Sequence, residues 1–312
     1  MVTAMAVLCT SVLAWTRPSQ AAASAPMDLA QRYEAARTQS TLLVSTSHPL
    51  YLRSTDEQDT LKGEVFTTVD QPFSLVREVT TRTDDWCQIL ILHLNIKYCR
   101  MVTNTTGNDA KPGVGTLLVG MGRKFDQPLG DVYWISFNYR VVQASDQNLQ
   151  VELAAAHGPL GTQDYRLCVE AMPAGPTRTL MALSYSQSYG IAARWAFQAY
   201  LATLGRGKVG FSVVGLDAQG QPIWVEGLRG VLERNALRYH LALEAWLGQQ
   251  QLPPSQRAEA SLKAWFDATE QFPRQLRELN WTRYIDMKRH EISRQAQWPV
   301  PREVQHHWPV SP

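Results

Sequence analysis

The sequence predicts an α+β fold: an antiparallel meander entered through a strand and two short helices, left through a long apolar helix, and followed by a C-terminal helical extension. Three observations carry this. A period-two segment runs into an Asp-Gln-Pro helix start at Asp70, six later segments alternate with turn residues in every gap, and apolar residues from 189 to 204 recur at helical spacing. The 312 residues, 45% hydrophobic and 19% charged, can bury a sizeable core. Lys and Arg at 30 against Asp and Glu at 28 leave a balance of +2, which excludes a protein held to nucleic acid by phosphate contacts.

A short helix is expected around residues 28–39, and residues 61–69 form the first strand of the meander. Asp70-Gln71-Pro72 then starts a helix in which Phe73, Val76 and Val79 share a face. Asp84 or Asp85 caps the next, with Trp86, Ile89, Leu90 and His93 on one side. Strands follow at 95–102, 116–125, 131–143, 149–156, 164–172 and 177–186, and connections this short force antiparallel neighbours. In the helix expected at 189–204 only Arg194 and Gln198 break the apolar surface, and Gly205 closes it. Beyond 210 come a hairpin around Asp217-Ala218-Gln219-Gly220 and three helices, at 227–249, from 255 to about 272, and from Pro273 to 295.

This order of elements resembles the helix-grip fold of the START-related (SRPBCC-like) superfamily over about residues 61–210. The matching segments are Gly63-Glu64-Val65-Phe66-Thr67-Thr68-Val69-Asp70-Gln71-Pro72-Phe73, the Asp84-Asp85-Trp86 start and the helix from Tyr189. The resemblance implies a curved antiparallel sheet wrapping a long helix around a hydrophobic tunnel. It implies a START-like domain at 40–210; the amphipathic stripes of residues 211–295 are expected to pack on it as a helical extension, and the prolines of 296–312 mark an extended tail. Members include lipid and sterol carriers, hormone receptors, allergens and polyketide cyclases, so the fold alone fixes no activity.

Residues 1–23 read as a signal peptide, with an apolar run from Ala4 to Trp15 and small residues offering cleavage after Ala21 or Ala23. The run is too short for a permanent anchor, and a periplasmic or secreted location is expected. In such a compartment Cys87 and Cys99 are expected to pair, leaving Cys168 free. No cysteine or histidine spacing marks a metal site, and neither metal nor cofactor is expected.

Alternation along 131–143 places Tyr133, Ile135, Phe137, Tyr139 and Val141 on one face and Trp134, Ser136, Asn138 and Arg140 on the other. The first set, joined by Tyr165 and Tyr185, faces inward. It either fills a solid core or lines a cavity, and the resemblance favours the cavity, where Tyr hydroxyls in an apolar wall suit an amphipathic ligand. Arg123 and Arg194, lone charges on apolar faces, are the further ligand candidates. Arg140, Glu152, Arg166 and Glu170 fall on the outer face and are expected to pair across strands.

The function expected first is an exported binding or carrier protein for a hydrophobic small molecule, a lipid or isoprenoid-like compound. A cyclase-like enzyme using the same cavity is the second expectation and would need a buried, perturbed histidine. The third is an envelope interaction protein docking through its C-terminal helices, with the core filled.

Overall fold

The computed structural model describes residues 28–44, 48–57, 59–102, 113–190 and 207–297. The expected signal peptide, Arg194 and most of the expected 189–204 helix lie outside the described residues, as does the tail beyond Gln297. Among the described residues no helix is long and apolar enough to cross a membrane.

Nine strands form one antiparallel sheet: β1 (Thr41–Val44), β2 (Pro49–Glu57), β3 (Thr60–Val69), β4 (Ile96–Val102), β5 (Val114–Met121), β6 (Tyr133–Ala144), β7 (Leu149–His157), β8 (Thr162–Pro173) and β9 (Thr179–Tyr189). Their order is β1-β2-β3-β9-β8-β7-β6-β5-β4, so the meander β4 to β9 turns back to pair with the early strand β3. Helices α1 (Leu29–Gln39), α2 (Phe73–Thr81) and α3 (Thr83–Leu90) are followed, after the sheet, by α4 (Gly227–Leu247), α5 (Pro254–Glu270), α6 (Pro273–Leu276) and α7 (Trp281–Gln297). A separate hairpin, β10 (Val213–Leu216) with β11 (Pro222–Trp224), precedes α4.

One row of paired residues crosses the inner face of the sheet: Gly115, Tyr139, Leu153, Leu167, Tyr185 and Gly63. Helix α4 packs against β2, β3, β9 and α3 and has 15 of its 21 residues buried. Gly63 permits this approach, because a Cβ there would lie 3.1 Å from that of Ala236. The helix held on the sheet is therefore α4, from the segment expected as extension. Tyr189 closes β9 instead of opening a helix: it pairs with Thr162, its N–H donates to the Asp59 carbonyl, and its hydroxyl donates to Asp56 at 2.7 Å.

On the convex face, Leu29 and Ala36 of α1 pack with Phe66, Leu180 and Ala182. Arg32 forks onto both oxygens of Glu170 at 3.0 and 2.6 Å. Arg140–Glu152 at 3.3 Å and Arg166–Glu152 at 3.2 Å lie on this outer face, as the alternation requires. Cys87 of α3 and Cys99 of β4 form a disulfide with Cα atoms 5.1 Å apart, and Cys168 is free. The Gly120-Met121-Gly122 stretch does coincide with an irregularity, but the extra residue is on the partner strand: Ile96 pairs with Met121 and Tyr98 with Gly120, leaving Lys97 unpaired. That bulge turns Lys97 toward α7, where its ammonium is fully enclosed.

The candidate site on the concave face

The inner face carries a chain of aromatic contacts. Phe137 and Tyr165 meet edge to face at 6.5 Å, Tyr165 and Tyr185 at 6.2 Å, and Tyr185 touches Tyr239 of α4 at 5.3 Å. His93, just past α3, stacks on Tyr239 with ring centres 4.6 Å apart. The cluster therefore joins the sheet, α4 and the turn that leads into β4.

Expected site residues divide into three groups. Phe137, Tyr139, Tyr165 and Tyr185 are buried on the concave face. Their hydroxyls, however, are engaged by the protein: Tyr139 donates to the Thr80 carbonyl at 3.1 Å, Tyr165 shares a hydrogen bond with Thr162 at 2.7 Å, and Tyr185 donates to Gln187 at 3.1 Å. Tyr133 and Arg123 are corrections. Tyr133 is 51% exposed, because the first residue of β6 lies beyond the edge of the core. Strand β5 stops at Met121, so Arg123 sits in the following loop, exposed, with its guanidinium over the Phe125 ring and its backbone N–H donating to the Gln127 side-chain oxygen. Arg194 lies outside the described residues.

Two polar groups remain beside the cluster, Tyr239 Oη and His93 Nε2, and of these only the histidine nitrogen is sealed from solvent without a partner. Tyr239 makes ring contacts but no hydrogen bond among the described residues, and burial raises its pKa. His93 accepts from the Asn95 N–H through Nδ1, while its Nε2 is sealed from solvent without a partner. Burial, then the positive charges of Arg238, Lys288, Lys124 and Lys97, hold its pKa well below the usual histidine value, so the imidazole is neutral. Neither residue follows from sequence alone: Tyr239 belongs to a helix not expected in the grip, and His93 was readable only as one side of a helix end.

Residual exposure on this face gathers in the same place. Tyr139, Val151 and Val169 are at 0%, whereas Phe137 keeps 9% and Tyr239 6%. An open groove of about 500 Å³ lies elsewhere, between α7 and the loop after β5, lined by Phe125, Asp126, Leu279, Arg283, Met287 and His290.

The strand order, the helix pair after β3 and the long helix packed on the sheet define a helix-grip architecture of the α+β class. No protein-family model and no curated protein matches the chain. Solved structures with a similar arrangement include human STARD10, with a TM-score of 0.35 at 10% identity over 60% of this chain and 79% of that one. The Zhui aromatase/cyclase from Streptomyces sp. R1128 gives 0.33 at 11% identity, covering 69% of this chain and 95% of that one. The major latex-like protein of Panax ginseng gives 0.29 at 14%, covering 46% and 93%. The fold assignment rests on the strand order and the helix it holds, not on these likenesses.

Proposed function

We propose that this protein binds a hydrophobic small molecule, a lipid or isoprenoid-like compound, between its sheet and α4. The observation that carries the reading is the sealed, unpartnered Nε2 of His93, whose ring stacks on Tyr239 at one end of the aromatic cluster. A buried polar atom without a partner is costly, and a ligand with one polar end relieves that cost while its apolar body stays in contact with Phe137, Tyr165 and Tyr185. Burial of ligand surface supplies the driving force at roughly 25 cal/mol per Å². The carrier is placed outside the cytoplasm in this reading, supported by the apolar run from Ala4 to Trp15 and by the Cys87–Cys99 disulfide.

Native mass spectrometry of the purified chain, with lipid extraction, tests it. A co-purifying apolar molecule is expected, and Tyr239→Phe is expected to retain it less well with circular dichroism unchanged. If nothing co-purifies and no apolar fluorescent probe is taken up, the reading falls. A second reading, a cyclase-like enzyme, is favoured by one feature: a buried neutral imidazole with a free nitrogen is suited to proton transfer. It requires that His93→Gln abolish turnover of a bound substrate while leaving binding intact.

A further inference from the structure

Where His48, just before β2, meets α4, three metal-binding side chains converge, two of them one helical turn apart and the third almost two hundred residues earlier in the chain. His240 of α4 is fully buried, and neither of its ring nitrogens has a hydrogen-bond partner. One turn further along, Glu244 brings a carboxylate oxygen to 3.5 Å from His240 Nε2. His48, immediately before β2, places its Nε2 3.0 Å from the other oxygen, yet that nitrogen is not in hydrogen-bonding geometry with it. One donor atom from each residue lies within 4.8 Å of the others.

Two imidazoles and one carboxylate are a donor set for a borderline divalent ion, and bonds of about 2.0–2.1 Å in a tetrahedron space the donors by about 3.3 Å. The separations of 3.0 and 3.5 Å run to different oxygens of Glu244, and with one donor atom from each residue lying within 4.8 Å of the others, the three ligands would close in around the ion on loading. An ordinary ion pair would aim a ring N–H at the carboxylate; here the nitrogens approach it without doing so, and His240 has no other acceptor. Glu244 is partly exposed, so one side of the cluster is open to water.

We propose that His48, His240 and Glu244 bind one divalent transition-metal ion, zinc(II) above all, with water at the fourth position. The ion ties the β1–β2 connection, near one edge of the sheet, to the helix the sheet holds. Loading therefore stabilises that edge without touching the aromatic cluster.

The test is titration of the metal-free full chain with zinc(II) alone, in competition with a chromophoric chelator. One zinc per chain is expected, with a raised Tm, and cobalt(II) in its place should show the visible absorption of a four-coordinate ion. Glu244→Gln and His48→Gln should each weaken zinc binding by about 100-fold or more, beyond the loss typical of an outer-shell change. His48→Gln lies on a connection and carries the test even if the helix does not tolerate Glu244→Gln. Absence of zinc binding, binding that survives either folded variant, or binding lost on removal of His306 and His307 instead overturns the proposal.

Discussion

Lys97 and Glu291 meet at 2.8 Å with neither side chain reaching solvent. The second oxygen of Glu291 takes Lys288 at 2.8 Å, which also donates to the carbonyls of His93 and Ile96. One carboxylate thus serves two enclosed ammonium groups and fastens α7 to the bulge in β4.

Removing that carboxylate should cost more than removing either lysine. Glu291→Ala leaves two buried cations without an anion, and breaking a buried pair in this way costs about 3–5 kcal/mol. Lys97→Met leaves Lys288 and Glu291 as a balanced pair and should cost less. Urea unfolding of both variants measures the difference, and equal losses would contradict the shared-carboxylate account.

Alkaline pH should act in two opposed stages. Burial lowers the pKa of Lys288 from 10.5 to about 8, so between those values the unfolded chain binds more protons and stability rises with pH. Burial raises Tyr165 from 10.0 to about 12, so above pH 10 the folded chain binds more protons and stability is lost as pH climbs. Urea midpoints from pH 7.5 upward, compared with Tyr165→Phe, should show a rise and then a fall that the variant blunts. A monotonic profile unchanged in Tyr165→Phe would count against the second stage.

Peptide mapping without reduction should recover Cys87 joined to Cys99. Replacing both by Ala should lower stability by about 2–3 kcal/mol, the loop-closure effect for a short loop. Cys168 is half-buried, and burial pushes its thiol up to about 11, so it should label slowly in the native protein and rapidly once unfolded. Labelling of Cys87 or Cys99 in the denatured, unreduced chain would refute the bridge.

Glu233 is fully buried and accepts from the N–H groups of Phe211 and Ser212 at 2.6 and 2.9 Å and from the Ser212 hydroxyl at 2.7 Å. The Ser54 hydroxyl of β2 also donates to it. Glu233→Ala leaves these donors unsatisfied, each at about 1–3 kcal/mol, and should loosen the segment before β10. Hydrogen exchange at Phe211 and Ser212 reads this directly; protection unchanged from the parent would show the carboxylate to be dispensable.

Phe137→Trp should reduce uptake of an apolar probe by filling space, whereas Arg140→Ala, on the outer face beside Glu152, should leave it unchanged. The reverse pattern would place binding on the other side of the sheet.

Alternation made the inner face legible from Ile135 to Tyr139, because period two is enforced wherever one face of a strand is shut. It fails at the ends: Tyr133 continues the phase but has no core beneath it, and Arg123 continues a strand that has already stopped. The β1–β2 hairpin escaped notice because β1 has four residues and β2 ends in the polar run Ser54-Thr55-Asp56-Glu57. Tyr239, His93 and the His48–His240–Glu244 group were illegible for another reason. Their roles come from contacts between elements far apart in sequence, and only the His240–Glu244 pair, one helical turn apart, has a local spacing.

Strand β3 waits for its partner: Thr60 pairs with Ser188, 128 residues later. The sheet cannot close across that seam until β9 has been made, and such distant pairing is intrinsically slow. Even then Leu232 and Ala236, which cover Gly63, belong to a helix still to be synthesised. An emerging chain therefore displays part of an apolar sheet surface until α4 has left the ribosome, and a product arrested before Leu247 is one that chaperones or other copies would bind.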